Sequence, residues 1–237
     1  MAQPRSLICK GCWQTMHVPI ALRGPLSLPF RIAGLRPSRM NPNTCTLCEL
    51  MFKRVMKATK ITIDATILFA DLRAYTRLSQ SMSAASMGGM LDVFYDECAG
   101  AIWDHDGLLN KTIGDAVMAV FNFPIRQADH ARQALRAAHE IQRRIKARKE
   151  EAGLDFGVGI GIHCGELSFG EFGRSHRDLT AIGTVVNTAS RVQGVAEAGE
   201  ILVTEAVRER AGELTQGSVG QSYPLKGFDS PIMLYRA

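Results

Sequence analysis

Residues 61–71 read ITIDATILFAD. β-Branched and apolar side chains crowd this run and a carboxylate closes it, which is the composition of a central strand that stops at Asp71. The next segment, SMSAASMGGMLDVFYDECAGAIW, places Met87, Met90, Leu91, Phe94, Cys98 and Ile102 at steps of three and four. A helix with one apolar face therefore follows the strand, its first turns weakened by Gly88 and Gly89. GLLNKTIGDAVMAVF is two short apolar runs about Gly114-Asp115, a hairpin with an acid at its turn. From about Gln127 to Lys149, Ala131, Leu135, Ala138, Ile141 and Ile145 form one stripe, and the cations Arg143, Arg144, Lys146, Arg148 and Lys149 gather where they suit the negative end of a helix dipole. In DFGVGIGIHCGE, Phe156, Val158, Ile160 and Ile162 alternate with Gly157, Gly159, Gly161 and His163. That pattern predicts a half-buried strand whose glycines admit another backbone. An irregular arm, a helix from about Val185, a strand at Ile201–Val203, a short helix and a strand near Ile232–Tyr235 complete the chain. The order β-α-β-β-α-β predicts an α+β sandwich with a ferredoxin-like core.

Upstream the character changes. Residues 13–44 contain Pro19, Pro25, Pro29, Pro37 and Pro42 and hold no sustained period, so they predict a loop-built module. TLCELMFKRVMK has helical spacing and serves as a connector, which sets the boundary near Lys57: a module at 1–57 and a larger unit at 58–237. The formal charge of +5 is divided unequally, since residues 1–57 carry nine Lys/Arg against Glu49 alone. A basic segment suits nucleic acid, an anionic membrane surface or an acidic partner. Interleaved aromatics and a recognition helix are lacking, so nucleic acid is not the expected partner. No run approaches the roughly eighteen apolar residues of a membrane span, and the start is not that of a signal peptide, so stable membrane insertion is not expected and a cytoplasmic protein is.

Four of the six cysteines form two pairs, Cys9-Lys-Gly-Cys12 and Cys45-Thr-Leu-Cys48. A disulfide framework is not expected in a reducing compartment. Four thiolates suit one structural Zn²⁺, an iron–sulfur or redox-sensitive site, or no ligand at all, and a small segment with little apolar content needs such a staple. Cys98 and Cys164 stand alone inside apolar patterns as core residues.

Two aspartates occupy places where the backbone turns, Asp71 and Asp115. Either alone reads as a strand-end or turn residue; together they can share divalent ions that bridge a phosphate. Between strand and helix, the backbone of Leu72, Ala74, Tyr75 and Thr76 could wrap a triphosphate. Asn187 and Arg191 are four apart and share a helix face, either as a solvated pair or as donors to phosphate charge.

TILFADLRAYTRLS, NKTIGDAVMAVF, GVGIGIHCGE, DLTAIGTVVNTASRV and PLKGF, in this order, resemble the signature blocks of class III adenylate and guanylate cyclases and span roughly residues 60–237. The resemblance implies a homodimer with composite sites, in which Asp71 and Asp115 bind two Mg²⁺ or Mn²⁺, Asn187 and Arg191 stabilise the transition state and Lys226 holds the triphosphate. Lys111 and Thr180 stand where adenylate-type members read the base, so conversion of ATP to 3′,5′-cyclic AMP and pyrophosphate is expected. Lys111 also suits guanine O6, and some bacterial relatives cyclise pyrimidine nucleotides in antiphage signalling, so GTP or a pyrimidine substrate is the alternative, with a catalytically silent regulatory domain as the other. Ala74 and Thr184 depart from the family pattern, in which Gly and Asp or Asn are usual.

Overall fold

The computed structural model describes residues 5–73, 75, 80, 82–152, 156–173, 175 and 178–237. The N-terminal module holds α1 (Lys10–Met16), α2 (Leu28–Ile32) and α3 (Thr46–Ala58), and α3 leads into β1 (Ile61–Arg73). Then come α4 (Ala84–Asp104), β2 (Leu108–Ile113), β3 (Ala116–Phe121), α5 (His130–Ala152), β4 (Gly157–Phe172) and β5 (Asp178–Ile182). The chain closes with α6 (Thr184–Val195), β6 (Ile201–Thr204), α7 (Glu205–Ala211), β7 (Gly220–Tyr223) and β8 (Ile232–Arg236). Among the described residues eight strands form one sheet in the order β2-β3-β1-β4-β6-β8-β7, with β5 paired to β4. The expected α+β architecture is present.

Alternation along β1 explains the layers. Leu68, Ala70 and Leu72 point into a core shared with α4, α5 and α7, whereas Ile67 and Phe69 point into a second core with Met56 of α3 and Val185 and Ala189 of α6. Ser83 caps α4 by accepting from the Ser86 N–H at 3.1 Å, which fixes its first turn despite Gly88 and Gly89. Arg144 binds both Glu140 and Asp104, at 2.7 and 2.6 Å, and so ties α5 to the end of α4.

Three expectations are corrected. β1 continues to Arg73, because its ladder with β4 runs through Arg73↔Gly157. β4 is not half-buried: Val158–Ile162 are buried throughout, because α6 lies directly over the glycine side of the strand. A methyl placed on Gly161 would sit 2.5 Å from Gln193 Cα, so only glycine permits this approach. Finally, the irregular arm is in part a strand pair, with β4 extended to Phe172 and β5 returning along it from Phe172↔Asp178 to Ser168↔Ile182.

The module contains two short helices, α1 and α2, where only loops are expected, and Cys9 accepts a backbone N–H at the start of α1; the expected connector helix is α3, which Cys45 caps in the same way. It packs on the loop between α4 and β2: Asn41 donates to Gly107 O at 2.9 Å, Asn43 to Asp106 at 2.7 Å, and Trp103 Nε1 to Met40 O at 2.9 Å. Lys10 pairs with Asp106, so part of the module's basic charge is answered by acids of the larger unit. No helix among the described residues is long and apolar enough to cross a membrane.

One buried and two half-buried histidines give the fold a pH dependence. His130, 5% exposed, meets Thr66 Oγ1 at 2.7 Å, and burial pushes its pKa down despite the neighbouring Asp64. His163 meets Thr204 Oγ1 at 2.7 Å and is lowered by burial and by Arg210; burial also lowers His105. Because the unfolded histidines titrate near 6.5, the unfolded chain binds more protons than the folded one below about pH 7, and stability rises with pH there. The thermal midpoint should therefore fall as pH drops from 7.5 to 5.5, and His130→Gln should flatten that slope. A midpoint independent of pH across this window would contradict the assignment.

Candidate active site

β1 delivers Asp71 beside the β2–β3 turn that carries Asp115. Asp71 pairs with Ala116 across the ladder, and the Leu72 N–H donates to Asp115 O at 3.1 Å, so the two carboxylates are neighbours by backbone construction. Gly114, at φ +59°, makes the tight turn, and Tyr95 of α4 braces it by donating to Gly114 O. Asp71 Oδ2 accepts from Gln193 Nε2 at 3.0 Å and lies 3.5 Å from Arg73 Nη1. Burial, and then the charge of Asp115, push the Asp71 pKa above the ordinary carboxylate range, with Gln193 and Arg73 opposing. A half-buried pair of acids that repel one another, partly compensated by one cation and one amide, is a donor set that a hard divalent ion relieves. The residues fit Mg²⁺ or Mn²⁺.

Arg73 is wedged behind this pair. Its Nη2 donates to Gln193 O, while its buried Nε has no partner among the described residues. Gly159 leaves the room it needs, since a methyl there would lie 2.7 Å from Arg73 Nη2.

A second cluster joins β2 to β5. Lys111 forms an ion pair with Asp178, Asn110 Nδ2 donates to Leu179 O at 2.9 Å, and Thr180 Oγ1 donates to Asn110 Oδ1 at 3.3 Å. Asp178 and Thr180 are two apart on a strand and share one side, so Lys111 and Thr180 are brought to a common place. The third group is on α6, where Asn187 and Arg191 are both exposed on one face. At about 100° per residue, Arg191 is roughly 200° around the helix from Gln193, which faces Asp71. Asn187 and Arg191 thus point away from the acid pair of their own chain. Lys226 is exposed next to the buried Leu225. Among the described residues no hydrogen bond or ion pair links the aspartates to Asn187, Arg191 or Lys226. The Leu72 amide is engaged by Asp115, so it is not a free phosphate donor as expected; Tyr75 is half-buried against the main core. Ala74 and Thr76 lie outside the described residues.

Sequence reasoning misses Gln193, Arg73 and Asp178. Asp178 has a signal, its two-residue spacing from Thr180; Gln193 and Arg73 have none, because their partners are set by the crossing of α6 over β1.

Comparison with known proteins identifies the family and the fold. The family model described as "Adenylate and Guanylate cyclase catalytic domain" matches residues 57–234, and the chain belongs to this family. It is 33% identical over 184 residues to the adenylate cyclase of Anabaena cylindrica, covering 72% of this chain and 36% of that protein. Its structure resembles that of the adenylyl cyclase CyaB from P. aeruginosa with TM-score 0.68 and 26% identity, over 75% of this chain and 95% of the other. Likeness to the guanylyl cyclase Cya2 is similar, with TM-score 0.70 and 25% identity over 74% of this chain and 92% of the other. The chain matches about a third or less of the length of its curated relatives.

Proposed function

We propose that residues 58–237 form an adenylate cyclase catalytic unit that works as a homodimer and converts ATP to 3′,5′-cyclic AMP and pyrophosphate, with residues 1–57 as an appended module. The observation that carries the reading is the division of polar groups within one chain: the Asp71/Asp115 pair faces one way, and Asn187 with Arg191 faces another. A second copy supplies what each half lacks. Asp71 and Asp115 would hold two Mg²⁺ or Mn²⁺, whose Lewis acidity makes a ribose 3′-hydroxyl a better nucleophile and offsets phosphate charge. From the partner copy, Arg191 presents its planar fork of donors, and Asn187 its side-chain amide, to the charge that grows on the α-phosphate. Lys226 provides a point charge for the β- and γ-phosphates. Positioning and charge stabilisation carry most of the rate, and among the described residues no side chain stands out as a general base. An ATP-consuming reaction suits the cytoplasm.

Base choice rests on Lys111 and Thr180. A Lys ammonium donates to adenine N1 and a Thr hydroxyl accepts from the N6 amine, whereas guanine offers an N1–H donor and an O6 acceptor. The ion pair with Asp178 supports this role, because it holds the Lys111 ammonium on the Thr180 side of β5. Purified protein incubated with Mn²⁺ or Mg²⁺ and each of ATP, GTP, CTP and UTP, with products identified by mass spectrometry, should turn over ATP fastest. Faster cyclisation of another nucleotide would overturn the substrate assignment. Lys111→Glu replaces the donor by an acid next to Asp178 and should lower kcat/KM for ATP by roughly tenfold or more, the cost of one charge-assisted hydrogen bond, while relaxing the preference.

A further inference from the structure

Two cysteine pairs separated by 32 residues of sequence meet at one point. The Sγ atoms of Cys9, Cys12, Cys45 and Cys48 all lie within 4.8 Å of one another, and Cys9, Cys12 and Cys45 are fully buried. Cys9 and Cys48 are 3.6 Å apart, Cys12 and Cys45 3.5 Å, Cys12 and Cys48 3.2 Å. These separations are far beyond the 2.05 Å or so of a disulfide bond. They approach the edge of about 3.8 Å expected when four sulfurs surround one ion tetrahedrally at about 2.3 Å. An iron–sulfur cluster spreads its cysteines around several irons and needs a wider cage.

The surroundings are built for thiolates. Cys9 Sγ accepts from the backbone N–H groups of Cys12 at 3.4 Å and Cys45 at 3.2 Å, and Cys45 Sγ accepts from Cys48 N at 3.5 Å. Such outer hydrogen bonds orient ligands and spread their charge. Gly11, between the first two cysteines, leaves room for the fourth: a methyl there would stand 3.0 Å from Cys48 Sγ. Among the described residues, the buried apolar cluster around the sulfurs adds Ile20 and Leu22, with Phe30 and Leu35 partly covered, too small a core to hold the module unaided.

We propose that Cys9, Cys12, Cys45 and Cys48 bind a single Zn²⁺ as a tetrathiolate, and that this ion clasps the module to the catalytic unit. Four S–Zn bonds form, the thiol protons leave to solvent, and no electron is transferred. The clasp follows from connectivity. Cys9 caps α1, whose Lys10 pairs with Asp106 and whose Gln14 exchanges two 3.0 Å hydrogen bonds with Arg126. Cys45 caps α3 and follows Asn41 and Asn43, which bind Gly107, Trp103 and Asp106. Removing the ion releases both contacts at once. The zinc site does not depend on which nucleotide the enzyme uses.

Elemental analysis of the full chain, purified without chelator, should find about one zinc per chain, unchanged in Asp71→Ala and lost in a Cys45→Ser/Cys48→Ser double variant. Replacement of zinc by Co²⁺ should produce the intense visible absorption of a tetrahedral thiolate site, a readout that does not require the cysteine variants to fold. Stripping the ion should speed proteolysis within residues 5–57 roughly tenfold or more, given the large free energy of structural zinc binding, while 58–237 stays resistant. Iron with its own visible absorption, metal-free protein with the module still protected, zinc retained by the double variant, or a Co²⁺ spectrum without thiolate character would each overturn the proposal.

Discussion

Mixing Asp71→Ala protein with Arg191→Ala protein should restore cyclase activity that neither homodimer possesses. Each substitution alone removes a different part of the same reaction: the first a ligand for the divalent ions, the second the donor that meets charge on the phosphate. Loss of one preorganised donor of this kind costs about 10²–10³ in kcat, so each homodimer should be nearly silent. In a mixed dimer one composite site collects both lesions, and the other combines an intact Asp71 from one chain with an intact Arg191 from its partner. Activity should rise with the heterodimer fraction and approach half the wild-type value per dimer. Asp71→Ala also strips Gln193 and Arg73 of their shared acceptor. Asp71→Asn keeps an oxygen for Gln193 and removes only the charge, so it should complement Arg191→Ala equally well. Absence of recovery from either pair, with heterodimers demonstrated by differential tagging, would mean that both residues serve the site of a single chain.

The elements that can be read from sequence are those with one apolar face. α5 keeps Ala131, Leu135, Ala138, Ile141 and Ile145 on one stripe, and all are buried. β1 and the β2–β3 hairpin are equally plain, and with the hairpin the place of Asp115, because a tight turn is a local event; β1 runs two residues beyond the end expected at Asp71. β7 is illegible: GQSY exposes its two central residues at a sheet edge and has no apolar alternation to detect. The burial of β4 is hidden because glycines opposite Val158, Ile160 and Ile162 resemble a solvent-facing side, whereas they mark where α6 lies closest. The spacing of Asn187 and Arg191 gives a common face without telling what that face meets. That direction is fixed only when Gln193, on the far side of α6, is seen donating to Asp71 across 122 positions of sequence.

Gly161→Val should destabilise the protein and disable the site through the same displacement. Gly161 lies at the centre of the sheet, between Phe69 of β1 and Leu202 of β6. A methyl at this position would fall 2.5 Å from Gln193 Cα and 2.7 Å from Gln193 Cβ. These atoms belong to the α6 backbone or adjoin it, so no rotamer change relieves the overlap and the helix must move as a body. Overpacking of a core costs about 1–3 kcal/mol, and a branched side chain against a helix backbone belongs at the upper end or beyond. That displacement also withdraws Gln193 from Asp71 and shifts Asn187 and Arg191 on the opposite face, so activity should fall by more than the unfolded fraction explains. Gly88 is the contrasting position. It lies in the first turns of α4, where an added methyl would meet nothing within 4 Å, and Gly88→Ala should gain up to about 1 kcal/mol from helix propensity. Urea unfolding with parallel activity assays on the two variants tests both signs. A Gly161→Val protein with wild-type midpoint and turnover would show that α6 does not rest on β4 as closely as this packing requires.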